Sequence, residues 1–242
     1  NELLAVDGVA VIALTDMVDA TARAAGAKVA QAGQPAPAVY SGADGWRRVI
    51  DSDIDLAYIA TPWDTHAAYA VAAMEAGKHA AVEVPAAVTI EECWRLVEAS
   101  ERTRKHCIML ENCCYDYVET MVKRMVFAGK LGSLTHAECA YIHDLRTLLL
   151  SDESEGLWRR KPHIERLGNL YPTHGLGPVA QCLRIGTEDA FDYMVSMSSR
   201  EAALREYRDA TVPAASPKRA EVYNHGDMNT SIIRTKLGRT IL

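Results

Sequence analysis

A chain of 242 residues is long enough for one large domain or two small ones, and with 49% hydrophobic residues it can bury a substantial core. Its 26 Lys and Arg against 32 Asp and Glu leave a net charge of −6 without a basic block. That balance argues against a nucleic-acid footprint, and no apolar run reaches membrane-spanning length. The six cysteines, Cys93, Cys107, Cys113, Cys114, Cys139 and Cys182, follow no zinc spacing. They read as reduced, buried thiols, with no metal site expected from their pattern. The chain has no starting Met and no signal peptide, and it stops within a segment that reads as strand. Both ends therefore look cut, and a fragment of a longer polypeptide is expected. Either a cytoplasmic or an exported location is compatible with such a fragment.

In chain order, Val9 to Leu14 is a continuous apolar run ending in Thr15-Asp16, which suits a buried parallel strand. Residues 17–31 are Ala-rich and helical, and Gln34 to Tyr40, with Pro35 and Pro37, reads as a loop. Trp46 to Ile50 is a short helix, and Ile54 to Ala60 a second strand closed by Thr61-Pro62. His66 to Ala76 is helical, with Gly77 at the stop position. Ala80 to Val84 is a third strand ended by Pro85; Thr89 with Glu92 forms a capping box that opens a helix to about residue 103. Cys107 to Leu110 is a fourth strand ending in Glu111-Asn112, followed by a helix from about Tyr117 to Ala128. Strands alternating with helices imply βαβ units and a parallel sheet.

After Gly132 the rhythm changes. Leu134 to Ile142 reads as a long strand with alternating faces, and Asp144 to Gly168 as a long polar loop. A helix then begins near Pro172, and Tyr193–Ser198 and Asn229–Leu237 read as further strands. The fold class expected is α/β. A Rossmann-type parallel-sheet domain over 1–113, lacking its first strand and glycine-rich loop, precedes an α+β domain over 114–242 with a largely antiparallel open sheet.

Ligands gather at the carboxyl ends of parallel strands, and four such ends carry polar or conformationally special residues. Asp16 suits a ribose hydroxyl, or equally a helix cap. Thr61 to His66, Glu83-Val84-Pro85 and Asn112 end the others, where turns, caps and packing are the bland alternatives. In the second part, Gly168 to Pro178 places Tyr171 and His174 three residues apart at a helix entrance, where they share a face. A phenol beside an imidazole can move a proton near neutral pH. Tyr141 and His143 lie two apart on the expected strand and so point to one face. Arg159 sits in the polar stretch, where a solvated loop charge is the bland alternative.

Several motifs taken together resemble a known family. Ala60-Thr61-Pro62, the Glu83-x-Pro85 strand end and the change of domain near residue 114 are similar to the glucose–fructose oxidoreductase/inositol dehydrogenase family. The finer resemblance is to glycoside hydrolase family 109, the NAD-dependent α-N-acetylgalactosaminidases. It runs through Thr61-Pro62-Trp63-x-x-His66, Gly77-Lys78-His79, Glu83-Val84-Pro85, Lys105 to Cys113, Ala140 to Arg146, Trp158-Arg159 and Gly168 to Pro178. It continues weakly through His225 to Ser231. Where the broader family commonly has Glu-Lys-Pro, this chain has Val84, which carries no proton and moves the acid–base work toward Tyr and His.

The resemblance implies a glycosidase that departs from the usual pair of carboxylates. NAD would accept a hydride from C3 of the sugar, a base would remove the C2 proton, the aglycone would leave from C1, and water addition and re-reduction would follow. It implies catalytic roles for His174, Tyr171 and His143, and substrate contacts for Tyr141, Arg159 and Tyr171. It implies cofactor contacts for Asp16, Trp63, His66, Glu83, Val84, Asn112 and His174. The partner expected is a small glycoside, with no nucleic acid or membrane, in a homo-oligomer built on the open sheet. Two other readings stay open at this point: a net NAD(P)-dependent sugar dehydrogenase of the same fold, and a non-catalytic binding protein or inactive fragment.

Overall fold

The computed structural model describes residues 2–242 and divides into two compact units, Asn1–Leu110 and Glu111–Leu242. Among the described residues no helix is long and apolar enough to cross a membrane. The first unit runs β1 (Ala13–Asp16), α1 (Asp19–Gln31), β2 (Ala38–Ser41), α2 (Gly45–Ile50), β3 (Leu56–Ile59), α3 (Trp63–Glu75), β4 (His79–Val82), α4 (Ile90–Thr103) and β5 (Cys107–Met109). Every pairing in it is parallel. The strands form two ladders, β1–β2 and β3–β4–β5. The core lies on the three-stranded ladder. Ala67, Ala70, Ala73 and Met74 of α3 and Leu96 and Ala99 of α4 cluster with Ile59 and Val82. The run of alanines gives α3 a narrow face, which lets a helix lie close to a sheet.

Local chemistry sets the element ends. Thr89 Oγ1 accepts from the Glu92 N–H at 3.1 Å while Glu92 Oε2 accepts from the Thr89 N–H at 3.1 Å, the reciprocal box that the spacing predicts. Gly77 follows α3 with φ of 79°, a conformation open to glycine. The first strand is shorter than expected. The Gln34 side chain accepts from the Val11 N–H and donates to the Val9 carbonyl, which takes those backbone groups out of a strand ladder. The expected loop of 34–40 ends instead in β2, where Val39 and Tyr40 supply strand-forming side chains directly after Pro37.

The second unit contains α5 (Tyr117–Phe127), β6 (His136–Ala137), α6 (Arg146–Leu150), α7 (Arg160–Glu165), α8 (Thr173–Cys182), β7 (Phe191–Ser198), α9 (Ala203–Thr211), β8 (Asn229–Thr235) and β9 (Thr240–Ile241). Its sheet has the order β6-β9-β8-β7, with β7–β8 and β8–β9 antiparallel and β6–β9 parallel. Leu176 and Val179 of α8 pack against the buried Leu183, Ile233 and Ile241, which seats that helix on the sheet.

Two expectations are corrected here. The strand expected over Leu134–Ile142 is only two residues long. β6 pairs with β9 at His136–Thr240 and Ala137–Ile241, the Cys139 N–H reaches the Leu242 carbonyl at 2.8 Å, and residues 138–145 carry no regular element. Tyr141 and His143 therefore sit on an irregular segment rather than a pleated face. The polar loop expected over Asp144–Gly168 contains α6 and α7. Leu149 is buried with Leu204 and Tyr223, and the surrounding charges are paired, among them Arg160 with Glu221 at 3.1 Å and Lys218 with Asp152 at 2.8 Å.

His163 of α7 is buried, its ring 4.7 Å from that of His225. Burial, then the neighbouring charges of His225 and Arg159, push its pKa down to about 3. The unfolded chain binds that proton near 6.5, so stability falls as pH drops from about 6.5 toward 3, by up to about 1.4 kcal/mol per pH unit. Urea unfolding at pH 7 and at pH 5 should show this loss, and His163→Leu should reduce it. An unchanged pH slope in the variant would contradict the assignment.

Candidate active site

The second unit brings the proton-bearing side chains together around the start of α8. Pro172 occupies the N-cap position, one residue earlier than the first turn expected for it, so Thr173 and His174 open the helix. The Tyr171 N–H donates to Asn169 Oδ1 at 3.2 Å and fixes the approach to the helix. Two glycines let α8 press against its neighbours. A Cβ at Gly175 would lie 3.1 Å from the Ala140 nitrogen, and one at Gly177 would lie 3.0 Å from both Glu111 Cγ and Cys114 Sγ. The glycines of the Gly168–Pro178 motif thus bring the helix against the segments that carry Tyr141 and Glu111.

Glu111 starts a 3₁₀ turn over Asn112–Cys114. Its Oε1 accepts from the Cys113 N–H at 3.1 Å and lies 2.7 Å from His174 Nδ1. Both side chains are withdrawn from solvent, His174 at 15% and Glu111 at 4% exposure. A carboxylate only accepts, so in the neutral ring the proton sits on Nδ1 and Nε2 keeps its lone pair. Glu111 Oε2 is buried without a hydrogen-bond partner among the described residues. Cys113 Sγ lies 3.6 Å from the same Nδ1.

Aromatic rings wall this pair. The Tyr141 ring centroid is 5.0 Å from His174 and 5.3 Å from Tyr171, and Tyr171 is 4.9 Å from His174. Tyr141 Oη shares a hydrogen bond of 2.8 Å with Nδ1 of the exposed His143. Arg159 Cζ stands 4.8 Å from the Tyr171 ring centre. Arg159 is buried and its Nη1 donates to Glu155 Oε2 at 2.5 Å, so it is a fixed cation rather than a solvated loop charge. His174, Tyr171, Tyr141, His143 and Arg159 therefore gather as one cluster. Asn112 is exposed on the 3₁₀ turn beside Glu111. Sequence reasoning passed over Glu111 as a strand-end residue, because a partner 63 positions away in the chain leaves no spacing signal.

In the first unit the expected cofactor residues stand at strand ends. Asp16 closes β1, and its Oδ1 accepts from the Val18 N–H at 2.8 Å in a turn ahead of α1. Oδ2 is not engaged by this bond. Trp63 is buried in the first turn of α3. Glu83 follows β4 and accepts from Tyr58 Oη at 2.5 Å, and Val84 is buried beside it. His66 lies in the first turn of α3, one of the residues expected at the cofactor. Its Nδ1 is 2.8 Å from the Pro85 carbonyl and its Nε2 2.6 Å from the Thr61 carbonyl, so both ring nitrogens face the chain's own backbone. The ring, 1% exposed, ties the end of β3 to the end of β4.

A unit of parallel strands and helices with polar strand ends precedes an α+β unit bearing a carboxylate–imidazole–phenol cluster, a mixed α/β architecture with a Rossmann-like parallel sheet. Residues 4–111 match the oxidoreductase family with an NAD-binding Rossmann fold. The chain resembles a solved NAD-binding oxidoreductase from Klebsiella pneumoniae, with TM-score 0.71 and 19% identity, over 96% of this chain and 56% of that one. It also resembles an inositol dehydrogenase homolog from Azotobacter vinelandii solved with NADH and myo-inositol, with TM-score 0.66 and 18% identity, over 96% and 54% of the two chains. Residues 115–242 match the C-terminal domain of glycosyl hydrolase 109, and the chain belongs to that family. It is 51% identical to a glycosyl hydrolase family 109 protein of Solibacter usitatus, over 98% of this chain and 55% of the relative. It is 47% identical to an alpha-N-acetylgalactosaminidase of Bacteroides fragilis, over 99% and 57%. The chain thus spans just over half the length of the curated relatives it matches.

A neutral imidazole donates to one of the two carbonyls, so removing the His66 ring strands one acceptor and opens a cavity. His66→Ala should lower the unfolding free energy by roughly 2–5 kcal/mol, measured by urea titration. A loss below about 1 kcal/mol would show that the tie between strand ends carries little.

Proposed function

We propose that this chain belongs to a glycosidase that cleaves α-N-acetylgalactosaminides with a recycled NAD. The observation that carries the reading is the 2.7 Å contact between Glu111 and His174, which orients an imidazole and leaves Nε2 as a base. The name of the Bacteroides relative supports the substrate class.

The residues of the first unit fit the dinucleotide. Asp16 at the carboxyl end of β1 uses Oδ1 within its own turn, and Oδ2 suits a ribose hydroxyl. Glu83 and the buried Val84 at the end of β4 suit the edge of a bound ring, with Val84 contributing shape and no proton. When bound, NAD supplies reversible hydride acceptance at the sugar C3, which acidifies the hydrogen on C2.

The remaining chemistry falls to the second unit. His174 Nε2 takes the C2 proton, and the Glu111 carboxylate stabilises the imidazolium that forms. The Tyr171 and Tyr141 hydroxyls hold sugar hydroxyls at the rim of the pair. Arg159, 4.8 Å from the Tyr171 ring centre and paired with Glu155, binds sugar hydroxyls or the N-acetyl carbonyl. His143 sets the direction of the Tyr141 hydroxyl. The open sheet supports self-association, since Tyr193, Val195 and Met197 are exposed on one face of β7.

In the full-length enzyme turned over in heavy water, the released N-acetylgalactosamine should carry solvent deuterium at C2. Unlabelled product would exclude elimination, and NADH accumulating in proportion to product would make the protein a net dehydrogenase. His174→Ala should lower kcat by about 10²–10⁴-fold. Glu111→Gln, which keeps the shape and removes the charge, should lower kcat with little change in KM. Activity within threefold of the parent for both variants would remove the pair from the mechanism.

A further inference from the structure

We infer that Glu111, Cys113 and His174 form a binding site for a thiophilic divalent cation of the Zn²⁺ class. A carboxylate oxygen, the thiol sulfur and an imidazole nitrogen from these three residues all lie within 4.8 Å of one another. Tetrahedral zinc, with bonds of about 2.3 Å to sulfur and about 2.0 Å to nitrogen and oxygen, separates sulfur from nitrogen by about 3.6 Å and nitrogen from oxygen by about 3.3 Å. Cys113 Sγ and His174 Nδ1 already stand 3.6 Å apart. Nδ1 and Glu111 Oε1, at 2.7 Å, must open by about half an ångström as the shared proton leaves and a cation takes its place.

A second observation points the same way. Glu111 is 97% buried, yet its Oε2 has no hydrogen-bond partner among the described residues. An orphaned carboxylate oxygen in a dry site calls for a cation or a water, and the other oxygen of the same carboxylate stands 2.7 Å from the imidazole. That donor set, one sulfur, one nitrogen and one oxygen, selects zinc over magnesium or calcium. Three protein ligands leave a fourth position for water. The ligands ride on short rigid pieces: two on the 3₁₀ turn of 112–114 and its cap, one on the first turn of α8, which Gly177 allows to approach. Ligands 61 positions apart explain why cysteine spacing gives no hint of the set.

An ion on Nδ1 leaves the imidazole proton on Nε2, so the occupied site cannot accept a proton from substrate. Zinc would then inhibit reversibly. That consequence rests on His174 acting as the base; the binding itself does not, and it is tested without turnover. Co²⁺ titrated into the full-length protein under reducing conditions should bind at one equivalent with a thiolate-to-cobalt band in the near ultraviolet. Cys113→Ser should abolish the band, and His174→Ala should weaken binding at least about 10-fold, since loss of even an outer-shell partner costs 10–100-fold. Cys114→Ser should keep both the band and the affinity. No thiolate band in the parent protein, or a band that survives Cys113→Ser, would overturn the assignment.

Discussion

The second unit depends on one hydrogen bond, from His174 Nδ1 to the buried carboxylate of Glu111. The same oxygen that receives the imidazole also caps the turn that follows, through the Cys113 N–H. Local folding and ring orientation are therefore one event. A turn that forms around Glu111 presents a fixed acceptor, and α8 must arrive close enough to use it. Gly175 and Gly177 permit that approach, because a side chain at either position meets backbone or the Glu111 stem at about 3 Å.

Once the imidazole is held, the rest of the cluster follows from packing. Tyr141, Tyr171 and His174 stand within 5.3 Å of one another, ring centre to ring centre. Arg159, paired with Glu155, is fixed against Tyr171 rather than left in water. In the first unit His66 plays a comparable part for the strand ends. Its ring sits between the Thr61 and Pro85 carbonyls, 2.6 and 2.8 Å from its nitrogens, donates to one of them, and so spans the turns after β3 and β4.

The alternation of strands and helices through residue 110 was legible because βαβ units repeat one pattern, apolar run then amphipathic helix, and because caps such as Thr89 with Glu92 are local. The grouping of Tyr171 with His174 was legible for the same reason: three residues on a helix start share a face. What was hidden depends on distant contacts. Leu134–Ile142 alternates like a strand, but alternation records a face and not a partner, and the described pairing to β9 falls on His136 and Ala137. The segment 144–168 reads as polar from its many charged residues, while Leu149 packs with Leu204 and Tyr223 from far along the chain, and Arg160 and Asp152 pair with the equally distant Glu221 and Lys218. Glu111 was invisible as a site residue because the imidazole it holds is 63 positions away.

The central claim is that Glu111 fixes the tautomer of His174 and leaves Nε2 as the base. Nitrogen-15 NMR of histidine-labelled full-length protein, with His174 assigned by loss of its signals in His174→Gln, reports which nitrogen carries the proton. The account predicts a protonated Nδ1 and a bare Nε2 in the neutral ring. A proton on Nε2 with a bare Nδ1 would contradict it.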